Sequence, residues 1–273
     1  MRRMRIETAD GAWLADLDEP HDLAIPLAFD GEQPNLFSAP RAGREALRSG
    51  DFVGDVTLGG SCNCSTYSLT PHCNGTHTEC IGHVTRQRVH VADVYRGGLE
   101  MALVLSVPAV TAEACSEDTD PFPRPEDFLI TAEALAAAWE RWRGVRCGAL
   151  VVRSLPNRDT KRAHRYEEGC AAPYLTRQAV ELIVAHGVQH LLLDLPSLDR
   201  AHDGGKLTGH RLFWGLPPGS TDVIAAKRAE ATITELIFVP NDVPDGPYVL
   251  DLQIAPFLAD AAPSRPILYP VIE

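Results

Sequence analysis

The chain has 273 residues, 45% of them hydrophobic, with 37 acidic against 25 basic side chains and a formal net charge of -12. That length and apolar share suffice for a large buried core, and an acidic balance without a tract of clustered Lys or Arg argues against a nucleic-acid partner. The opening "MRRMRIETADGAWLADLDEP" has positive charge but no apolar segment behind it, and "MALVLSVPAV" is too short to span a bilayer, so no secretory signal and no membrane partner are expected and the expected location is cytoplasmic.

Residues 21–29, "HDLAIPLAF", have the apolar content of an early strand, and the turn-rich "DGEQPNLFSAPRAG" reads as a surface excursion that could border a pocket. "STYSLTPHC" is expected to be extended, "RVHVADV" reads as a further strand, and the near-continuous apolar "LEMALVLSVPAV" as a buried one. Acids and prolines make "TAEACSEDTDPFPRPEDF" a loop. In "LITAEALAAAWERWRG", Thr131 is a candidate N-cap, Leu135, Ala138, Trp139 and Trp142 recur at helical spacing, and Gly144 is the stop. The two tryptophans read as core or interface anchors.

"GALVVRSL" is the strand that follows. A second helix lies in "YLTRQAVELIVAHG", where Thr176 can cap, Leu175 and Val180 can form a hydrophobic staple, and Gly187 can take the left-handed position after the last turn. "VQHLLLDLPSLD" leaves it as a buried strand. Strand-like segments "ATITELIFVP", "GPYVLDLQIAP" and "RPILYPVI" fill the last third, with "NDVPDG" as a turn. Helices alternating with apolar strands predict α/β or α+β packing in a single domain over residues 1–273.

Seven cysteines, Cys62, Cys64, Cys73, Cys80, Cys115, Cys147 and Cys170, are an odd number, which favours thiols or metal ligands over a disulfide framework. The densest polar cluster is "HCNGTHTECIGH", residues 72–83. If residues 77–79 are extended, His77 and Glu79 project to one side, the bend "NGT" can bring Cys73 round to them, and His83 can approach after "CIG". Thiolate, imidazole and carboxylate are all zinc ligands. His72, next to Cys73, reads as a packing or supporting histidine that faces away from it, and Cys80 as buried packing. The spacing "CNC" followed by Cys73 and Cys80 departs from the paired C-x₂₋₄-C units of a structural zinc knot. Glu235 interrupts the apolar "TITELIF" and needs a partner, whereas an edge-strand acid is the plain reading of it. His210 alone would be one histidine among ten.

"CNGTHTECIGH" resembles the H-x-G-T-H-x-D-x-P-x-H signature of the cyclase family that includes bacterial kynurenine formamidase and isatin hydrolase. "HDLAIPL", "YLTRQAVELIVAHGVQHLLLDLPSLD", "GHRLFW" and "TITELIF" resemble that family's other segments in the same order, over most of the chain. The resemblance implies an α/β fold of the β/β/α swivelling type and a homo-oligomer, dimer or tetramer. It implies metal ligands at Cys73, His77, Glu79, His210 and Glu235, with Glu79 and Glu235 bridging, and His83 as the proton-transfer residue. Cys73 and Glu79 depart from the family's histidine and aspartate; a thiolate favours zinc over manganese, at one or two ions per chain, and weakens Lewis acidity. Ile81 stands where the family has proline, and the interval between His210 and Glu235 is long enough for an inserted loop. Asp194 and Asp199 read as support for the pocket or a subunit contact. Phe122, Phe213, Trp214 and Trp13 either line an aromatic pocket or pack.

The implied activity is metal-dependent hydrolysis of a small-molecule amide, aryl formamide or lactam. A lactone or cyclic imide hydrolase is the alternative within the class, and a non-catalytic metal-binding or interaction protein the alternative outside it. Cys73 as covalent nucleophile with His77 or His83 as base would leave Glu79, His210 and Glu235 without a role.

Overall fold

The apolar run after residue 98 becomes the strand Leu99–Pro108, which lies at the centre of the main sheet. The computed structural model describes residues 2–8, 11–166 and 172–272, so Cys170 lies outside the described residues. Leu103, Leu105 and Val107 point to one face of the sheet, and Ala102 and Val104 to the other. Both faces are covered, which is why the sequence is apolar at nearly every position and not at alternate ones.

In spatial order the sheet runs Arg3–Thr8, Gly11–Asp16, Ala261–Ile272, Gly246–Ile254, Leu99–Pro108, Ala149–Leu155, His190–Leu193, Thr232–Glu235 and His77–Glu79. The four strands from Leu99–Pro108 to Thr232–Glu235 are mutually parallel, and their neighbours on either side are antiparallel. His77–Glu79 pairs on its other side with Ala261–Pro263, at the start of the long final strand. The sheet therefore closes on itself, and a three-residue strand that would otherwise be a frayed edge is held from both sides.

Helices Ala132–Glu140, Arg177–Ala185 and Thr208–Phe213 cover one face. Leu135, Trp139, Val180, Ile183, Phe213 and Trp214 meet Leu103, Leu105, Leu150, Val152, Leu191 and Ile233 there. Thr131 and Thr176 cap as expected: their hydroxyls accept from Ala134 and Ala179 N–H at 3.1 Å each. Gly187 sits at φ 78°, where a Cβ is costly. On the other face, Leu192, Val151, Leu250 of the neighbouring strand and Leu268 belong to a layer closed by the antiparallel part of the sheet.

Three local expectations fail. "HDLAIPLAF" contributes only the two-residue strand His21–Asp22 and a bridge from Ala24 to Ile237, because Pro26 has no N–H and Ile25 N–H goes to the Thr76 hydroxyl at 2.8 Å. "RVHVADV" is a helical turn, Val91–Val94, whose alternating valines mimic a strand while only Val91 is buried. "STYSLTPHC" is extended only over Ser65–Ser68; Pro71 then starts the turn Pro71–Asn74, a position that its fixed φ favours.

A candidate metal centre

Register builds the centre. His77 lies directly opposite Glu235 across one strand pair, and Glu79 opposite Ile233. The period of two then sends His77, Glu79 and Glu235 to one face, while Thr78 and Thr234 share a 2.8 Å hydroxyl contact on the other. His77 is fully buried, as is Glu79, and Glu235 nearly so. His77 Nε2 stands 3.6 Å from Glu235 Oε2.

His210 arrives from the short helix Thr208–Phe213. Asp199 fixes it, accepting from Gly209 N–H at 2.7 Å, from His210 N–H at 3.1 Å and from His210 Nδ1 at 2.7 Å. This leaves Nε2 facing Glu79 Oε1 at 2.9 Å and Glu235 Oε1 at 3.5 Å. Leu198 N–H donates to Glu235 Oε1 at 2.8 Å. The 3-10 turn Ile81–His83 presents His83, with Nδ1 3.4 Å from Asp260 and 3.9 Å from Glu79. A Cβ at Gly82 would lie 2.2 Å from the Val89 carbonyl oxygen, so that turn needs glycine.

Two residues that the sequence left aside come to the same place. His72 puts Nδ1 3.0 Å from Glu79 Oε2 and Nε2 2.9 Å from Asp260 Oδ2, and its ring lies 4.3 Å from that of His83. Asp260 immediately precedes the final strand, whose Ala261 pairs with Glu79, and its carbonyl accepts from Cys80 N–H at 2.9 Å. No sequence signal marked Asp260. His72 was visible in the cluster, but its direction depends on the helical turn that the sequence did not reveal.

The charges are strongly interdependent. Burial raises the Glu79 carboxyl, but His83 and His210 outweigh it and hold the group well below the usual range. Burial and the neighbouring Glu79 raise Glu235, yet its contacts with His210 and His77 leave it lowered. Burial opposes a charge on His72, and the Asp260 and Glu79 carboxylates reverse this and push it up to about 10. His210 is raised by the same carboxylate surroundings against its burial.

Three groups of donors converge within 4.8 Å: His72, His77 and Glu79; Glu79, His83 and His210; and His72, His83 and Asp260. A cation fits among them on a separate ground. His77 Nε2 and both Glu79 oxygens are buried without a hydrogen-bond partner, although imidazole nitrogens stand 2.9 to 3.0 Å from those oxygens. Orphaned polar atoms of this kind cost about 1–3 kcal/mol each, more for a charged group. Donors on one ion with bonds near 2.1 Å are separated by about 3.0 Å at a 90° angle and by about 3.4 Å at the tetrahedral angle, so approaches of 2.9 to 3.6 Å fit a common cation. His77 Nδ1 lies 2.9 Å from the Gly75 carbonyl, the outer bond that fixes a ligating imidazole.

The structure thus brings His77, Glu79, His83, His210 and Glu235 together. Cys73 is in none of the three groups among the described residues. It packs with Leu36, Tyr166 and Leu236, and burial together with Glu235 raises its thiol. Cys80 is buried too, while Cys62 and Cys64 are exposed. Asp194 is engaged elsewhere, with Lys161 at 2.6 Å. Phe213 and Trp214 are fully buried, Trp214 with its ring 5.6 Å from that of His210, and Phe122 is 88% exposed. His83, His72 and Asp260 are the partly exposed members, and they mark the side open to solvent.

The family model of the Cyclase family, described as "Putative cyclase", matches residues 20–200. No curated protein matches the chain. Among solved structures, isatin hydrolase A from Labrenzia aggregata bound to benzyl benzoate is 17% identical with a TM-score of 0.59, covering 92% of this chain and 93% of that one. The isatin hydrolase A of Ralstonia solanacearum is 17% identical with a TM-score of 0.56, covering 93% and 92%. A predicted metal-dependent hydrolase from Bacillus stearothermophilus is 14% identical with a TM-score of 0.55, covering 92% and 98%. These likenesses show a shared fold, a mixed α/β sheet with flanking helices.

Proposed function

The chain belongs to the cyclase family, and from that premise we propose that it is a metal-dependent hydrolase of a small amide, with an aryl formamide or a lactam as the substrate class. The observation that carries this reading is the set of orphaned donors on His77 and Glu79, ringed by further imidazoles and carboxylates and open to solvent beside His83. His77, Glu79, His210 and Glu235 are the proposed ligands. Zinc, one or two ions per chain, is the proposed cation, since imidazole and carboxylate are both among its usual donors; with Cys73 outside the donor set, the thiolate ground for disfavouring manganese falls away. A divalent cation in this position supplies a Lewis acid that polarises a carbonyl and makes water nucleophilic near neutral pH.

The protein's own groups do the rest. His83, at the open side, takes the proton from water as the water oxygen bonds to the carbonyl carbon. It then returns that proton to the nitrogen as the C–N bond breaks, which an amine leaving group requires. The Gly75 carbonyl and Asp199 keep His77 and His210 in place. Buried walls of Ile81 and Leu198 exclude bulk water from the inner face. Isatin, named for two of the structural neighbours, contains a cyclic amide of the proposed kind. The homo-oligomer and the cytoplasmic setting belong to the same proposal.

The test is a comparison of two variants on a substrate found by screening N-formyl aryl amines, isatin-like lactams and simple lactones with zinc-loaded protein. His83→Ala should keep its zinc and lose roughly 100-fold to 10,000-fold in rate, the usual contribution of a general acid-base group. His77→Ala should lose zinc and rate together. Full activity in His83→Ala would remove His83 from the reaction, and wild-type protein that takes up no divalent cation would sink the whole reading.

A further inference from the structure

The family signature puts a ligand at position 73, where this chain has cysteine. We propose that His72 replaces it, ligating the cation through Nδ1, and that Asp260 positions His72 through Nε2. The inference rests on the reading of the site as a metal centre and specifies which side chains complete it.

The helical turn Pro71–Asn74 separates the two candidates. Successive residues on a helix point about 100° apart, so His72 and Cys73 cannot both face the same atom. His72 faces Glu79 and Asp260, whereas Cys73 packs with Leu36, Tyr166 and Leu236, near enough to feel the charge of Glu235 but outside the convergent donor groups. Among the described residues, His72 belongs to two of the three convergent donor groups and Cys73 to none.

The arrangement around Glu79 is then symmetric in its chemistry. On one side His210 Nε2 lies 2.9 Å from Oε1 while Nδ1 is held by Asp199 at 2.7 Å. On the other, His72 Nδ1 lies 3.0 Å from Oε2 while Nε2 is held by Asp260 at 2.9 Å. An outer carboxylate that accepts a hydrogen bond from one ring N–H fixes the tautomer whose other nitrogen carries the free lone pair, the state a metal ligand needs. Both approaches are short enough for an ion pair but are not aligned as hydrogen bonds at the Glu79 oxygens. A cation shared by the imidazole and the carboxylate accounts for that contact. Asp260 is held where it can act, because the final strand pairs Ala261 with Glu79 and Cys80 N–H binds the Asp260 carbonyl.

Cobalt(II) is the probe, since a thiolate ligand gives it an intense near-ultraviolet charge-transfer band that imidazole and carboxylate do not. Cobalt-loaded wild-type protein should lack this band, a result that needs no variant. Cys73→Ser should hold zinc within about threefold of wild type. His72→Ala should lose 100-fold or more in affinity, and Asp260→Asn roughly 10-fold to 100-fold, as outer partners of ligating histidines do. Asp260→Glu should restore part of that loss. A thiolate band that disappears in Cys73→Ser would overturn the proposal, as would His72→Ala protein that binds zinc like wild type. The latter outcome beside a His77→Ala variant that loses zinc would leave the metal centre standing and refute His72 alone, with His72 then an imidazolium paired to Glu79. Wild-type protein binding neither cobalt nor zinc would refute both.

Discussion

Replacing Asp199 should weaken the fold and the metal centre by separable amounts. Its carboxylate reaches ten residues along the chain to accept from the N–H groups of Gly209 and His210, which the short helix Thr208–Phe213 leaves uncapped because Leu207 offers no side-chain acceptor. The same carboxylate accepts from His210 Nδ1. Hydrogen bonds to a charged group contribute about 1.5–3 kcal/mol each, and partial relaxation around two stranded amides puts Asp199→Ala at roughly 2–4 kcal/mol. At about 2 °C per kcal/mol for a chain of this size, the chelated variant should unfold roughly 4–8 °C lower than chelated wild type. Asp199→Asn keeps one oxygen acceptor but turns an NH₂ toward either Gly209 or His210, so three donors can no longer all be met. It should lose less stability than the alanine variant yet bind zinc roughly 10-fold to 100-fold more weakly, because the ring of His210 is no longer held with Nε2 free. Thermal unfolding in chelator, together with zinc titration of each folded variant, measures the two effects. Wild-type zinc affinity in Asp199→Asn, with an unchanged unfolding temperature in Asp199→Ala, would refute the reasoning.

Replacing Cys62 and Cys64 together with serine should leave zinc content unchanged by elemental analysis, since both are exposed and neither joins a convergent donor group among the described residues. His190 supplies a pH prediction: burial lowers its pKa to about 4, beside Thr232 at 2.9 Å. The unfolded chain, with its histidine near 6.5, binds the proton first as pH falls, so this contribution is intact above about 6.5 and is lost progressively down to about 4, up to roughly 3 kcal/mol. Urea unfolding of wild type and His190→Gln across that window should show a shallower acid-side decline in the variant; parallel declines would remove His190 from the account.

Much of this protein is determined by local chemistry that any reader of the chain can see. Thr131 and Thr176 cap helices because a hydroxyl before an apolar periodic run has amide donors waiting for it, and Leu99–Pro108 is a buried strand because both sheet faces demand apolar residues. The alternation His77, Thr78, Glu79 likewise fixes two donors on one face once the segment is extended. The tertiary structure alone decided what meets them. Glu235 stands opposite His77 through strand pairing across more than 150 positions of sequence, and Asp260 reaches His72 only because the sheet closes on the final strand. The choice between His72 and Cys73 turned on a single helical turn beginning at Pro71. A difference of one residue there reverses which side chain faces Glu79, and side-chain direction at that scale follows from backbone dihedrals that neither composition nor spacing encodes.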